Sequence, residues 1–100
     1  MTNVAEKIKI KWASISESMH FINEKNRDEF MDTELSSFAK QAMDEKLEIT
    51  RNKGRGGWWT KDCSTEQLKQ MLREHIDKGD MRDVMNLAAM IYYRESAGIK

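Results

Sequence analysis

The sequence predicts an all-α protein of four helices, with a glycine-rich hinge between the second and third. Three observations carry this. No proline occurs in the 100 residues, which removes the strongest helix breaker. Apolar residues recur at intervals of three and four along most of the chain, the period of one helix face. Three of the five glycines crowd into Lys53-Gly54-Arg55-Gly56-Gly57-Trp58-Trp59, which leaves the rest of the chain glycine-poor.

The first helix is expected near 3–23. Val4, Ile8, Trp12, Ile15, Met19 and Ile22 form one stripe, and Glu6, Lys7, Lys9, Lys11, Glu17 and Glu24 lie opposite it. Asn23 and Asn26 mark a break. A second helix is expected over 27–52, with a broader apolar pattern of Phe30, Met31, Leu35, Phe38, Ala39, Ala42, Met43, Leu47 and Ile49. Gly54 closes it as a left-handed cap. Ser64-Thr65-Glu66-Gln67 reads as a capping box that opens a third helix over 64–78. Its buried positions are expected to be Leu68, Met71, Leu72, His75 and Ile76, and it stops at Lys78-Gly79. Asp80 then caps a fourth helix over 80–95, with Val84, Leu87, Ala88, Ile91 and Tyr92 as its stripe. The short connection forces the last two helices into a tight hairpin. The chain therefore reads as one domain over 1–100: a helical N-terminal half (1–52), the hinge (53–63) and the hairpin (64–96).

Charge and cysteine usage narrow the function classes. Seventeen basic and seventeen acidic residues cancel, yet residues 1–50 carry seven basic and ten acidic side chains and residues 51–100 carry ten and seven. Two weakly complementary halves favour packing together or self-association over binding a polyanion. A dedicated DNA-binding domain is more basic. Cys63 is the only cysteine, so no intramolecular disulfide forms and a reducing, cytoplasmic setting is expected. No apolar run reaches the length of a membrane span, and the first residues lack a signal-peptide core.

The hinge is the richest stretch for chemistry. Arg51, Lys53, Arg55 and Lys61 surround backbone amides, as in phosphate-binding loops. The strand and the Lys-Ser/Thr pair of a P-loop are missing. A single Arg-Gly-Gly element with Trp58 and Trp59 as stacking platforms is also a weak nucleic-acid signal. Gly56 and Gly57 are expected in backbone angles that side chains disfavour. Adjacent side chains leave the backbone in different directions. One Trp should therefore seal the core, while the other stays exposed as a contact anchor, with Arg55 and Lys61 beside it.

Other candidates are weaker. His75 beside Glu74 reads as a helix-packing histidine bonded to a neighbour, and Cys63 as a small residue at a tight turn. His20 carries no pattern. One cysteine and two scattered histidines give no zinc-ligand spacing. The six-residue stripe of the first helix suits an internal core, a homo-oligomer interface or the groove of a target protein.

Arg51-x-Lys-Gly-Arg-Gly-Gly-Trp, Cys63-Ser64, Leu68, Leu72, Glu74-His75, Lys78-Gly79-Asp80 and Asp83-Val-Met-Asn-Leu-Ala-Ala-Met resemble a module of tailed-phage and prophage early-region proteins. There it reads as an RGGW turn, a Cys-Ser helix start, an EHxxKGD corner and a DVAN-type last helix. The resemblance covers about 46–94 and implies a phage or prophage origin. Met85 stands where the module has a small residue, which implies that any cavity there is filled.

Some proteins with this module are labelled dATP/dGTP pyrophosphohydrolase-like. MazG-like enzymes of that kind hold magnesium with Glu-x-x-Glu on one helix and Glu-x-x-Asp on the next. Carboxylates three apart share a helix face, as hard cations require. Glu45 with Glu48, and Glu74 with Asp77, match that spacing; Asp80 and Asp83 form a third pair. Capping and solvated-surface roles explain these acids more simply. The sequence therefore points first to a small phage or prophage accessory protein. It would bind a host or phage protein without catalysis, and Arg55, Trp58, Trp59 and Lys61 would make the contact. The alternatives are a Mg²⁺-dependent nucleotide pyrophosphohydrolase using Glu45, Glu48, Glu74 and Asp77, and, more weakly, a nucleic-acid-binding module.

Overall fold

The computed structural model describes residues 3–18 and 23–100. It contains four helices: α1 (Val4–Ser18), α2 (Glu24–Asn52), α3 (Thr65–Lys78) and α4 (Met81–Ala97). No strand occurs among the described residues. The all-α, four-helix expectation holds. Met19, His20 and Ile22 lie outside the described residues. The chain divides into two compact units, Met1–Ala42 and Met43–Lys100, with the boundary inside α2.

In the first unit, asparagine side chains set both helix starts. Asn3 Oδ1 accepts from the Glu6 amide at 2.9 Å, and Asn23 Oδ1 accepts from the Asn26 amide at 3.1 Å. The second cap explains why α2 begins at Glu24 instead of Arg27: it satisfies an N–H that would otherwise be orphaned. Val4 and Ile15 of the α1 stripe are buried, whereas Ile8 and Trp12 are 42% and 54% exposed. Lys11 of α1 lies 4.0 Å from Glu34 of α2.

The second unit starts with the end of α2. Gly54, at φ +79°, donates its amide to Arg51 O and closes the helix as expected. Ser64 and Gln67 form the full capping box: Ser64 Oγ accepts from the Gln67 amide at 3.0 Å, and Gln67 Oε1 accepts from the Ser64 amide at 2.8 Å. Gly79, at φ +87°, ends α3, and Asp80 accepts from the Arg82 amide to start α4. With both ends of the corner capped, α3 and α4 pack as the expected hairpin.

Leu68, Leu87 and Ile91 form the buried centre of that hairpin, with Cys63, Leu72 and Met90 packed against it. Each such side chain contributes about 1.5–3 kcal/mol when fully buried. The faces of the last two helices differ in part from expectation. Met71, Ile76 and Tyr92 are 41%, 51% and 75% exposed, and Ala88 is exposed too. On α4 the buried register runs through Asn86, Leu87, Ile91 and Arg94. Two polar side chains therefore occupy positions that a search for apolar spacing passes over.

Candidate functional site

Arg94 organises the hinge. It is 1% exposed, the most buried large side chain described. Its Nη1 donates to Trp58 O at 2.6 Å and to Thr60 O at 3.1 Å, and its Nε donates to Thr65 Oγ1 at 3.0 Å. The Thr65 hydroxyl passes the chain of bonds on, donating to Ile99 O at 3.0 Å, while the Thr65 amide donates to Lys100 O. One planar guanidinium thus ties together the hinge, the start of α3 and the residues after α4. A buried guanidinium needs acceptors of this kind, because an unpaired buried charge is costly.

Within that frame the hinge turns tightly. Gly57 sits at φ +82°, and both the amide and the hydroxyl of Thr60 donate to its carbonyl, at 3.0 and 2.8 Å. Gly57 therefore fulfils the expectation of a left-handed backbone. Gly56 does not: its φ is not positive, and an added Cβ would meet no atom within 4 Å. The turn is made one residue later, where Thr60 can close it.

The two tryptophans are unequal. Trp58 is half-buried and Trp59 is 57% exposed. Trp58 meets Tyr93 edge to face at 5.3 Å and Trp59 edge to face at 5.8 Å. T-shaped contacts at this separation are the favoured aromatic geometry. Tyr93 is itself 59% exposed, so Trp58 supports a surface group of three rings. Arg55 and Lys61 lie exposed on the same hinge.

A separate cluster of charges surrounds the α3–α4 corner. Arg82 Nη1 donates to Glu45 at 2.6 Å, and Arg82 Nε lies 3.5 Å from Asp80. Lys46 bridges Asp80 at 3.3 Å and Asp83 at 3.7 Å. Burial pushes the Asp80 carboxyl up, but hydrogen bonds from Lys46 and Arg82 outweigh it and hold Asp80 below its ordinary value. His75 Nδ1 lies 2.8 Å from Met71 O and its Nε2 4.0 Å from Asp83, which makes it the neighbour-bonded histidine expected.

This geometry does not fit the magnesium set considered from the sequence. Glu45 is committed to Arg82, Glu74 accepts from Gln70, and Glu48 and Asp77 are exposed. Among the described residues no three His, Cys, Asp or Glu side chains gather as a metal-ligand set. No described helix is long and apolar enough to cross a membrane.

Beneath the hinge lies a cavity of about 330 Å³, bounded by α2, the hinge, α3 and α4 within the second unit. Asn86 lines it and Met85 does not.

Sequence reasoning missed Arg94, Asn86, Thr65 and Tyr93. A signal for Arg94 was present, since it continues the i, i+3, i+4 register of Leu87 and Ile91. The chain matches no family model, no curated protein and no solved structure.

Proposed function

We propose that this chain is a small phage or prophage accessory protein of the host cytoplasm that binds a host or phage protein without catalysis. The contact surface is the ring group of Trp59 and Tyr93 on Trp58, with Arg55 and Lys61 at its edge. One observation carries this reading: Arg94 fixes the backbone beneath exposed rings, at the Trp58 and Thr60 carbonyls. A large aromatic surface on a backbone that is already ordered loses little further entropy on docking, and aromatic residues with Arg dominate binding energy at protein interfaces. The half-exposed Ile8 and Trp12 of α1 supply a second apolar surface, suited to self-association.

The test is capture of partners from bacterial lysate by the wild type, by Trp59→Ala and by Arg55→Glu/Lys61→Glu, with sedimentation to measure self-association. A partner retained by the wild type and lost by both variants supports the reading. A partner retained equally by all three removes the hinge from the contact. Pyrophosphate release from dATP or dGTP with Mg²⁺, abolished by Glu48→Gln, would replace this reading with the hydrolase. Salt-sensitive binding of single-stranded DNA would replace it with the nucleic-acid module.

A further inference from the structure

We propose that the outward face of α4 pairs with the same face of a second copy of this chain, the two helices antiparallel about a two-fold axis between Met85 and Ala88. The helix carries apolar side chains on more than one side. Leu87 and Ile91 are buried with Leu68 of α3. A second row, Met81, Met85, Ala88 and Tyr92, follows the helical period yet stays outside. Met81 is 51% and Tyr92 75% exposed, Ala88 is exposed and Met85 is half-buried. A surface helix ordinarily keeps one apolar side, so a second one marks contact with another molecule.

The row is symmetric under reversal, which selects a second copy as the occupant. Its intervals are four, three and four residues, so an antiparallel copy presents the same positions in register. Met81 then meets Tyr92 of the second copy, and Met85 meets Ala88 of the second copy. Both contacts occur twice, as an isologous interface requires. At the centre a long side chain opposes a small one, which lets the helix axes approach to about 8–10 Å. At the ends a thioether opposes an aromatic ring, a favourable pair. The antiparallel arrangement also sets each helix N-terminus beside the C-terminus of its mate, so the two macrodipoles attract.

Charge points to the same occupant. All four charged side chains of α4 are engaged within the chain: Arg82 by Glu45, Asp83 by Lys46, Arg94 by the Trp58 and Thr60 carbonyls, and Glu95 by Lys69. The face therefore offers no free charge to select a charged partner, and two copies of it meet without like-charge repulsion. Tyr93, which belongs to the hinge ring group, lies about 100° round the helix from Tyr92. The inference rests on α4 alone, and on neither the hinge contact nor the apolar surface of α1. One helix pair buries less than about 1,200 Å² in total, the low end of interface sizes. The dimer is therefore weak and forms at high micromolar concentration.

The experiment is sedimentation equilibrium of the full chain from about 10 μM to about 1 mM, over which the wild type should pass from monomer towards dimer. Ala88→Glu and Tyr92→Glu, each at an exposed position, should weaken the dimer about tenfold or more by placing a carboxylate in an apolar contact. Thermal melting of both at low concentration should stay near the wild type, which separates lost pairing from lost folding. Met85→Lys should weaken the dimer too. Mixing it with Ala88→Glu should restore association, because opposite charges then face each other across the axis. Trp12→Lys and Trp59→Ala, which probe α1 and the hinge, should leave the dimer unchanged. A wild type that stays monomeric at about 1 mM overturns the proposal. So does a dimer indifferent to Ala88→Glu and Tyr92→Glu, and one lost in Trp12→Lys instead places the interface on α1. A mixture of Met85→Lys and Ala88→Glu that associates no better than either variant alone overturns the antiparallel register, and the proposal with it.

Discussion

The Arg94 guanidinium donates from Nη1 to the carbonyl oxygen of Trp58 at 2.6 Å, across 36 positions of sequence. The same nitrogen also holds Thr60 O, and Nε holds Thr65 Oγ1. The α4 residue before Arg94, Tyr93, packs edge to face on the Trp58 ring. Backbone and ring of Trp58 are thus held by consecutive residues of one helix turn. The loop's geometry depends on α4 as much as on its own glycines.

Replacing Arg94 should therefore unfasten the hinge. Arg94→Met keeps the length and apolar stem but leaves the carbonyls of Trp58 and Thr60 without their donor. Each unsatisfied buried acceptor costs about 1–3 kcal/mol, so a loss of about 3 kcal/mol is expected by urea unfolding. Arg94→Lys restores charge but not the planar fork and should recover only part of it. Equal stability of Arg94→Met and wild type would remove the anchor role.

Trp58 and Trp59 should separate in a melting experiment. Trp58→Ala removes a half-buried ring and its contact with Tyr93, and about 2–3 kcal/mol of destabilisation is expected, below the range for a fully buried tryptophan. Trp59→Ala should stay within about 0.5 kcal/mol, as surface changes usually do. Equal, large losses for both would mean that the ring group is ordinary core.

The two adjacent glycines offer an internal control. Gly57→Ala forces a side chain into φ +82° and should cost about 1 kcal/mol or more. Gly56→Ala meets open space at an ordinary φ. It should be neutral or stabilise by about 0.4–1 kcal/mol, since it restricts the unfolded chain. A reversed order in thermal melting would contradict the assigned turn.

Asp80 makes the corner sensitive to acid. Its folded pKa is lowered, so its ion pairs contribute stability that is complete above the unfolded value of about 3.9 and is lost as pH falls through the folded one. Asp80→Asn keeps a side-chain acceptor at the helix start but gives up the charge. Denaturant midpoints of wild type and Asp80→Asn should converge as pH falls from about 6 to below 4, with the wild type higher at the upper end. Parallel curves across that range would remove Asp80 from the acid response.

Helix number, the capping box at Ser64, the cap at Asp80 and the glycine stops at Gly54 and Gly79 are all decided within about four residues of chain. They follow from which neighbours can satisfy a free N–H or C=O and from which residues tolerate φ > 0. The unequal exposure of adjacent Trp58 and Trp59 belongs with them, since successive side chains diverge. Tertiary structure alone decided that Tyr92 faces outward while Arg94 faces inward. An apolar stripe records hydrophobicity, whereas burial on α4 goes to whichever side chain meets the acceptors left by the hinge. The burial of Asn86 was not legible for the same reason. A void exists only between packed elements, and the burial of Asn86 is decided there too.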